Sequence, residues 1–168
     1  YKIEHSLYFT TSCIGATLLT DSLLLPQEVM TQLDIALTNA KSTGVNQICF
    51  FDPKWQAIVI ERAQLLDELR TAITEQQFEL YYQPQLDCHE IIVGAEALIR
   101  WNHPQRGLLN PIDFLPIAEE NKLMKKIGDE VIQLGLAQLK KWQTNDATRH
   151  LKLSLNITAD QFYEESFE

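Results

Sequence analysis

The chain has 168 residues, 45% hydrophobic and 22% charged, with a net charge of −9. This is the composition of a globular protein with one ordinary core, or parts of two smaller ones, and not of a disordered chain. Its apolar runs are too short to span a bilayer, and no Lys/Arg cluster exceeds two residues, so neither membrane contact nor a nucleic acid polymer is expected of this segment.

In chain order, LYFTTSCIGATLLT (residues 7–20) reads as a strand, with Gly15 marking a bulge or a close approach. Pro26 stands at the first turn of a helix that aligns Val29, Leu33, Ala36 and Ala40, and Gly44 terminates it. NQICFFDP is a further strand, ended by Asp52 and Pro53. Strand, helix, strand makes one α/β unit. Residues 54–75 space Trp55, Ile58, Leu65, Leu66, Leu69 and Ile73 as an amphipathic helix does, and we read it as a linker between two regions, 1–61 and 62–168.

The second region opens with the strand FELYYQPQLD, closed by Pro84, and a second strand, IIVGAEALIRW. Alternation puts Glu96, Leu98 and Arg100 on one face and Ala95, Ala97 and Ile99 on the other. NHPQRGLLNP is a loop, and Pro111 starts a helix after Asn110. A longer helix presents Ile127, Val131, Leu134 and Trp142 near one face. LKLSLNIT is a third strand, and ADQFYEESF begins another helix. Strands alternating with helices predict a parallel α/β sheet or barrel, and an eight-stranded barrel takes roughly 250 residues. The second region is therefore the front of one. A chain opening at Tyr1, within a strand, also reads as a fragment.

Cys13, Cys49 and Cys88 are odd in number and have no metal-ligand spacing, so they read as free thiols in a reducing cytoplasm. No signal peptide is visible, and the expected location is cytoplasmic. His5, His89, His103 and His150 are scattered. More telling are Glu96 and Asn156, which fall near the carboxyl ends of their strands, where α/β folds bind ligands. A carboxylate and an amide oxygen are hard donors that suit Mg²⁺ or Mn²⁺, and Arg100, two pleats beyond Glu96, can grip a phosphate oxygen. A buried Glu96–Arg100 ion pair would account for the same two residues without a ligand.

The longer pattern, YYQPQLD, GAEALIRWNHPQRGLLNPIDFLPIAEE and LSLNITADQF, resembles the EAL phosphodiesterase family in order, spacing and residue choice over residues 76–168. The resemblance implies the first part of a TIM-like (β/α) barrel that hydrolyses cyclic di-GMP to pGpG with Mg²⁺ or Mn²⁺. It implies that Glu96 is a catalytic metal ligand and Asn156 a second ligand. Arg100 would contact a substrate phosphate, Gln83 would line the nucleotide pocket, and Leu98 would touch the ligand or fill the barrel. Pro111 and Phe114 would shape the pocket loop or the core. The family's later carboxylates and lysine match nothing up to residue 168, so this chain alone is expected to be inactive. The first region is similar to the C-terminal part of a GGDEF domain, through TTSCIGATLL and LDIALTNAKSTGVNQICFFDP, with Leu33, Thr38 and Val45 departing from its pattern. Those departures leave open a non-catalytic cyclic di-GMP receptor or interaction module. Half a barrel leaves unpaired strand edges, and a homodimer through the EAL part or the linker helix is expected.

Overall fold

The computed structural model describes residues 2–3, 6–7, 9–19 and 24–157. The expected helix over ADQFYEESF lies outside them. The chain divides into two compact units, Tyr1–Ala63 and Gln64–Glu168.

In the first unit, β1 (Lys2–Ile3) pairs antiparallel with β2 (Ser6–Leu7), and β3 (Ile14–Ala16) pairs parallel with β4 (Ile48–Phe50). The crossover between β3 and β4 is helix α1 (Pro26–Thr43). Glu28 caps it by accepting the Leu25 backbone N–H at 2.9 Å, and Gly44 ends it at φ +141°. Ala36 and Ala40, on the expected face, are fully buried. Gly15 is the close approach that the sequence suggested. A Cβ there would sit 2.6 Å from the Leu33 carbonyl oxygen and against the Leu37 backbone, so only glycine lets α1 lie on β3. Among the described residues of the strand expected over 7–20, only Leu7, in β2, and Ile14–Ala16, which form β3, are strand, because a strand extends only where it has a partner and β4 offers three residues.

Helix α2 (Pro53–Glu75) starts behind Asp52, whose carboxylate accepts the Lys54 N–H at 2.9 Å. Its later turns bury Leu65, Leu69 and Ala72 in the core of the second unit.

That unit is built on β5 (Phe78–Leu86) and β6 (Ile92–His103), an antiparallel hairpin. Asp87 makes the turn by accepting the N–H groups of His89 and Ile91 at 2.8 and 2.9 Å. The parallel arrangement expected of the strands holds for β6 and β8 (Lys152–Leu155), but not for this first pair, which a short turn forces to run antiparallel. Pro84 does not close β5. It lies within an edge strand, where its missing N–H is tolerated. The loop expected after β6 contains a short strand, β7 (Gly107–Leu109), that folds back on Trp101–His103. Helix α3 (Pro111–Glu120) follows, with the Asn110 N–H donating to Asp113 at 2.9 Å. Helix α4 (Met124–Gln143) then crosses back to β8.

The core lies between one face of this sheet and the helices. Trp101, Phe114 and Leu69 are its largest fully buried side chains. The rings of Phe78, Trp101 and Phe114 meet at centroid distances of 5.7 to 6.1 Å, in the tilted and edge-on arrangements aromatic quadrupoles favour. His103 closes the cluster beneath Trp101, 4.9 Å between ring centroids. Its Nδ1 accepts the N–H groups of Gln105 and Arg106, both at 3.1 Å, fixing the β6–β7 turn. Its Nε2 lies 3.1 Å from the Glu68 carboxylate, within ion-pair distance but off the line of a hydrogen bond.

Candidate functional site

With one sheet face committed to the core, every second residue of β5, β6 and β8 must point the other way. The register makes that second face explicit. Gln83 stands opposite Glu96, Tyr81 opposite Leu98 and Glu79 opposite Arg100 across the antiparallel pair. On the other side Ser154 stands beside Glu96 across the parallel pair. Two residues further along, Asn156 donates its Nδ2 to Glu96 Oε1 at 2.8 Å. Ser154 Oγ reaches Gln85 Oε1 at 3.4 Å. All five expected site residues thus project from one face, and Glu96 and Asn156 are in direct contact.

Arg100 follows four residues after Glu96, roughly 13 Å along the strand at the usual strand rise. The ion pair that would have explained these two residues without a ligand does not form among the described residues. Glu96 is taken by Asn156, while Arg100 Nη1 donates to the carbonyl of Ile99 at 2.8 Å. The Arg100 guanidinium lies over the ring of Tyr81, 5.4 Å from its centroid. Tyr81 was not singled out by the sequence. The signal that could have found it is alternation: it stands two residues before Gln83 and so shares its face.

Glu96 and Asn156 supply oxygens suited to a hard cation. Rotating the Asn156 amide by half a turn would bring Oδ1 to where Nδ2 now stands, beside the Glu96 carboxylate. The pair therefore fits a divalent metal as part of its ligand set. Among the described residues, no three His, Cys, Asp or Glu side chains stand close enough to share an ion.

Beside this corner lies a cavity of about 300 Å³, lined by Leu98 from the middle of β6, by Asn156 and Ile157 just after β8, and by Pro111, Leu115 and Met124 from α3 and α4. Phe114, in contrast, is wholly in the core. Glu119 and Glu120 end α3. Tyr82, next to Tyr81, turns to the helix side against Trp142, 5.7 Å between ring centroids, where burial pushes its phenol pKa up. No helix among the described residues is long and apolar enough to cross a membrane.

Comparison with known proteins returns one family model, the EAL domain, which matches residues 66–168. The chain is 35% identical over 163 residues to the bifunctional diguanylate cyclase/cyclic di-GMP phosphodiesterase MucR of Pseudomonas aeruginosa, covering 96% of this chain and 24% of that protein. It is 34% identical over 138 residues to the cyclic di-GMP phosphodiesterase PdeR of Escherichia coli, covering 82% of this chain and 21% of that one. The chain thus spans less than a quarter of the length of either. Among solved structures, the PaMucR phosphodiesterase in complex with c-di-GMP superposes with a TM-score of 0.56 at 37% identity, over 62% of this chain and 42% of that one. The FimX EAL domain of Xanthomonas citri in complex with c-diGMP does so with a TM-score of 0.57 at 25% identity, over 67% and 43%.

Proposed function

Because the chain belongs to the EAL domain family, we propose that it forms the ligand-binding front of a metal-dependent phosphodiesterase that hydrolyses cyclic di-GMP to pGpG. One observation carries this reading: Asn156 and Glu96 meet at 2.8 Å on the open sheet face, with Gln83 directly across the ladder.

Glu96 and Asn156 would hold a divalent cation, Mg²⁺ or Mn²⁺, which when bound supplies Lewis-acid stabilisation of the phosphoryl oxygens and lowers the pKa of water. The chain's own residues bind and orient. Arg100 keeps its charge for a phosphate oxygen, Gln83 offers both a donor and an acceptor to the nucleotide, and Leu98 gives the ligand an apolar contact. Two oxygen ligands are too few for a two-metal site, in which each ion takes about six. Further carboxylates must join them, and this chain alone is not expected to turn over substrate.

We read the first unit as the end of a GGDEF-like domain, with the domain boundary near residue 62, and the protein as cytoplasmic. Ile58, Val59 and Ile60, half exposed in succession on α2, support a homodimer formed through that helix. The test of the main reading is pGpG release from cyclic di-GMP with Mg²⁺ or Mn²⁺, by this chain and by a longer protein containing it. The longer protein should release pGpG, Glu96→Ala should abolish that release, and the chain alone should release none. Turnover indifferent to Glu96→Ala would overturn it.

A further inference from the structure

Arg100 is held without being neutralised. Glu79 stands directly opposite it on the same sheet face, yet among the described residues no ion pair joins them. Instead one guanidinium nitrogen is spent on the Ile99 carbonyl, and the plane lies over the half-exposed ring of Tyr81. The geometry is the expected one, since Tyr81 opposes Leu98 and is thus the diagonal neighbour of Arg100, within reach of a long side chain. The difference matters chemically. A carboxylate partner would occupy the donor fork and cancel its charge, as Arg–carboxylate pairs do. An aromatic face attracts the cation through its quadrupole and leaves the remaining N–H edge free for a bidentate phosphate.

We propose that Tyr81 is a positioning residue that presents the Arg100 guanidinium, still charged, to a phosphate group of the ligand. The inference rests on the function proposed above, in which that ligand is cyclic di-GMP. Tyr82 has no share in it: its ring packs on Trp142, on the helix side. The adjacent tyrosines divide the work because consecutive strand residues point to opposite faces.

The test has two arms on this chain. In the ligand-free protein, the Arg100 Nε–H resonance should feel the Tyr81 ring current. Tyr81→Leu should shift it, and Tyr81→Phe, which keeps the ring, should leave it nearly unchanged. In the second arm, cyclic di-GMP binding is measured with Mn²⁺ for the wild type, Tyr81→Phe, Tyr81→Leu, Arg100→Ala and the double variant Tyr81→Leu/Arg100→Ala. Tyr81→Leu should weaken binding by roughly two- to fivefold, the usual worth of an exposed cation–π contact, and Tyr81→Phe by less than that. In the Arg100→Ala background Tyr81→Leu should cost nothing more, because a residue that acts through another loses its effect with it. An equal loss in both backgrounds would mean that Tyr81 touches the ligand itself, and an unshifted resonance that the ring does not hold the arginine. Either result overturns the inference while the functional reading stands. A wild type that does not bind cyclic di-GMP, or binding indifferent to Arg100→Ala, overturns that reading and the inference with it.

Discussion

Replacing Gly94 by alanine puts a methyl group where β8 already stands. Gly94 faces Lys152 in the parallel β6–β8 pair. A Cβ built on it would lie 2.6 Å from the Lys152 carbonyl oxygen, about 0.8 Å short of ordinary van der Waals contact. The obstacle is backbone, so no side chain can swing aside, and β8 itself must move. Gly94 is not at positive φ, so the backbone conformation alone would accept alanine. Alanine in a strand interior is worth about 0.5–1 kcal/mol over glycine, whereas overpacking costs about 1–3 kcal/mol. The net is a loss of about 1–2 kcal/mol. With a urea slope of about 2 kcal/mol/M, the unfolding midpoint of the second unit should fall by roughly 0.5–1 M at unchanged slope. Two of the three tryptophans, Trp101, fully buried, and Trp142, report on this unit by fluorescence, while Trp55 reports on the first. The same shift would draw Asn156 away from Glu96. A midpoint equal to or above the wild type would refute the close-approach argument.

Burial raises the Glu130 carboxyl above its ordinary 4.5, so over that interval the native state keeps a proton that the unfolded chain has released. Stability contributed by the group therefore falls as pH rises through the interval. Glu130→Gln should raise the melting temperature at pH 7, with the advantage gone near pH 4, and an equal gain at both would contradict the burial argument. His103→Ala should cost about 2–4 kcal/mol in chemical denaturation, since it strips the acceptor from two backbone N–H groups and the packing from Trp101. Glu68→Ala, whose carboxylate is partly exposed, should cost about 1 kcal/mol or less, and a larger loss than His103→Ala would reverse the order of importance assigned to the two.

Local signals were legible where they were strong. Pro26, Pro111 and Asn110 mark helix starts because proline fits the first turn and the Asn110 N–H finds the Asp113 carboxylate. Period-two alternation separated the face of Glu96, Leu98 and Arg100 from the core face before any register was known. What the residues could not give is who pairs with whom. Nothing local says that β5 runs antiparallel to β6, that GLL of β7 folds back on Trp101, or that Asn156 reaches Glu96 rather than Arg100 doing so. These are contacts between residues up to 60 positions apart, fixed by the tertiary pairing of strands. Tyr81 was overlooked for a similar reason: its partner is a diagonal neighbour on another strand. His103, unremarkable as one of four scattered histidines, proved to be the buried polar centre of a turn.

On the function proposed above, the Glu96–Asn156 corner and the face beside it hold a divalent cation and cyclic di-GMP together. Titrating this chain with cyclic di-GMP in a calorimeter, with and without Mn²⁺ and beside Glu96→Ala, tests it most directly. Mn²⁺ should strengthen binding, and Glu96→Ala should reduce it to its metal-free level. Binding equally tight in the variant, or no binding by the wild type, would contradict it.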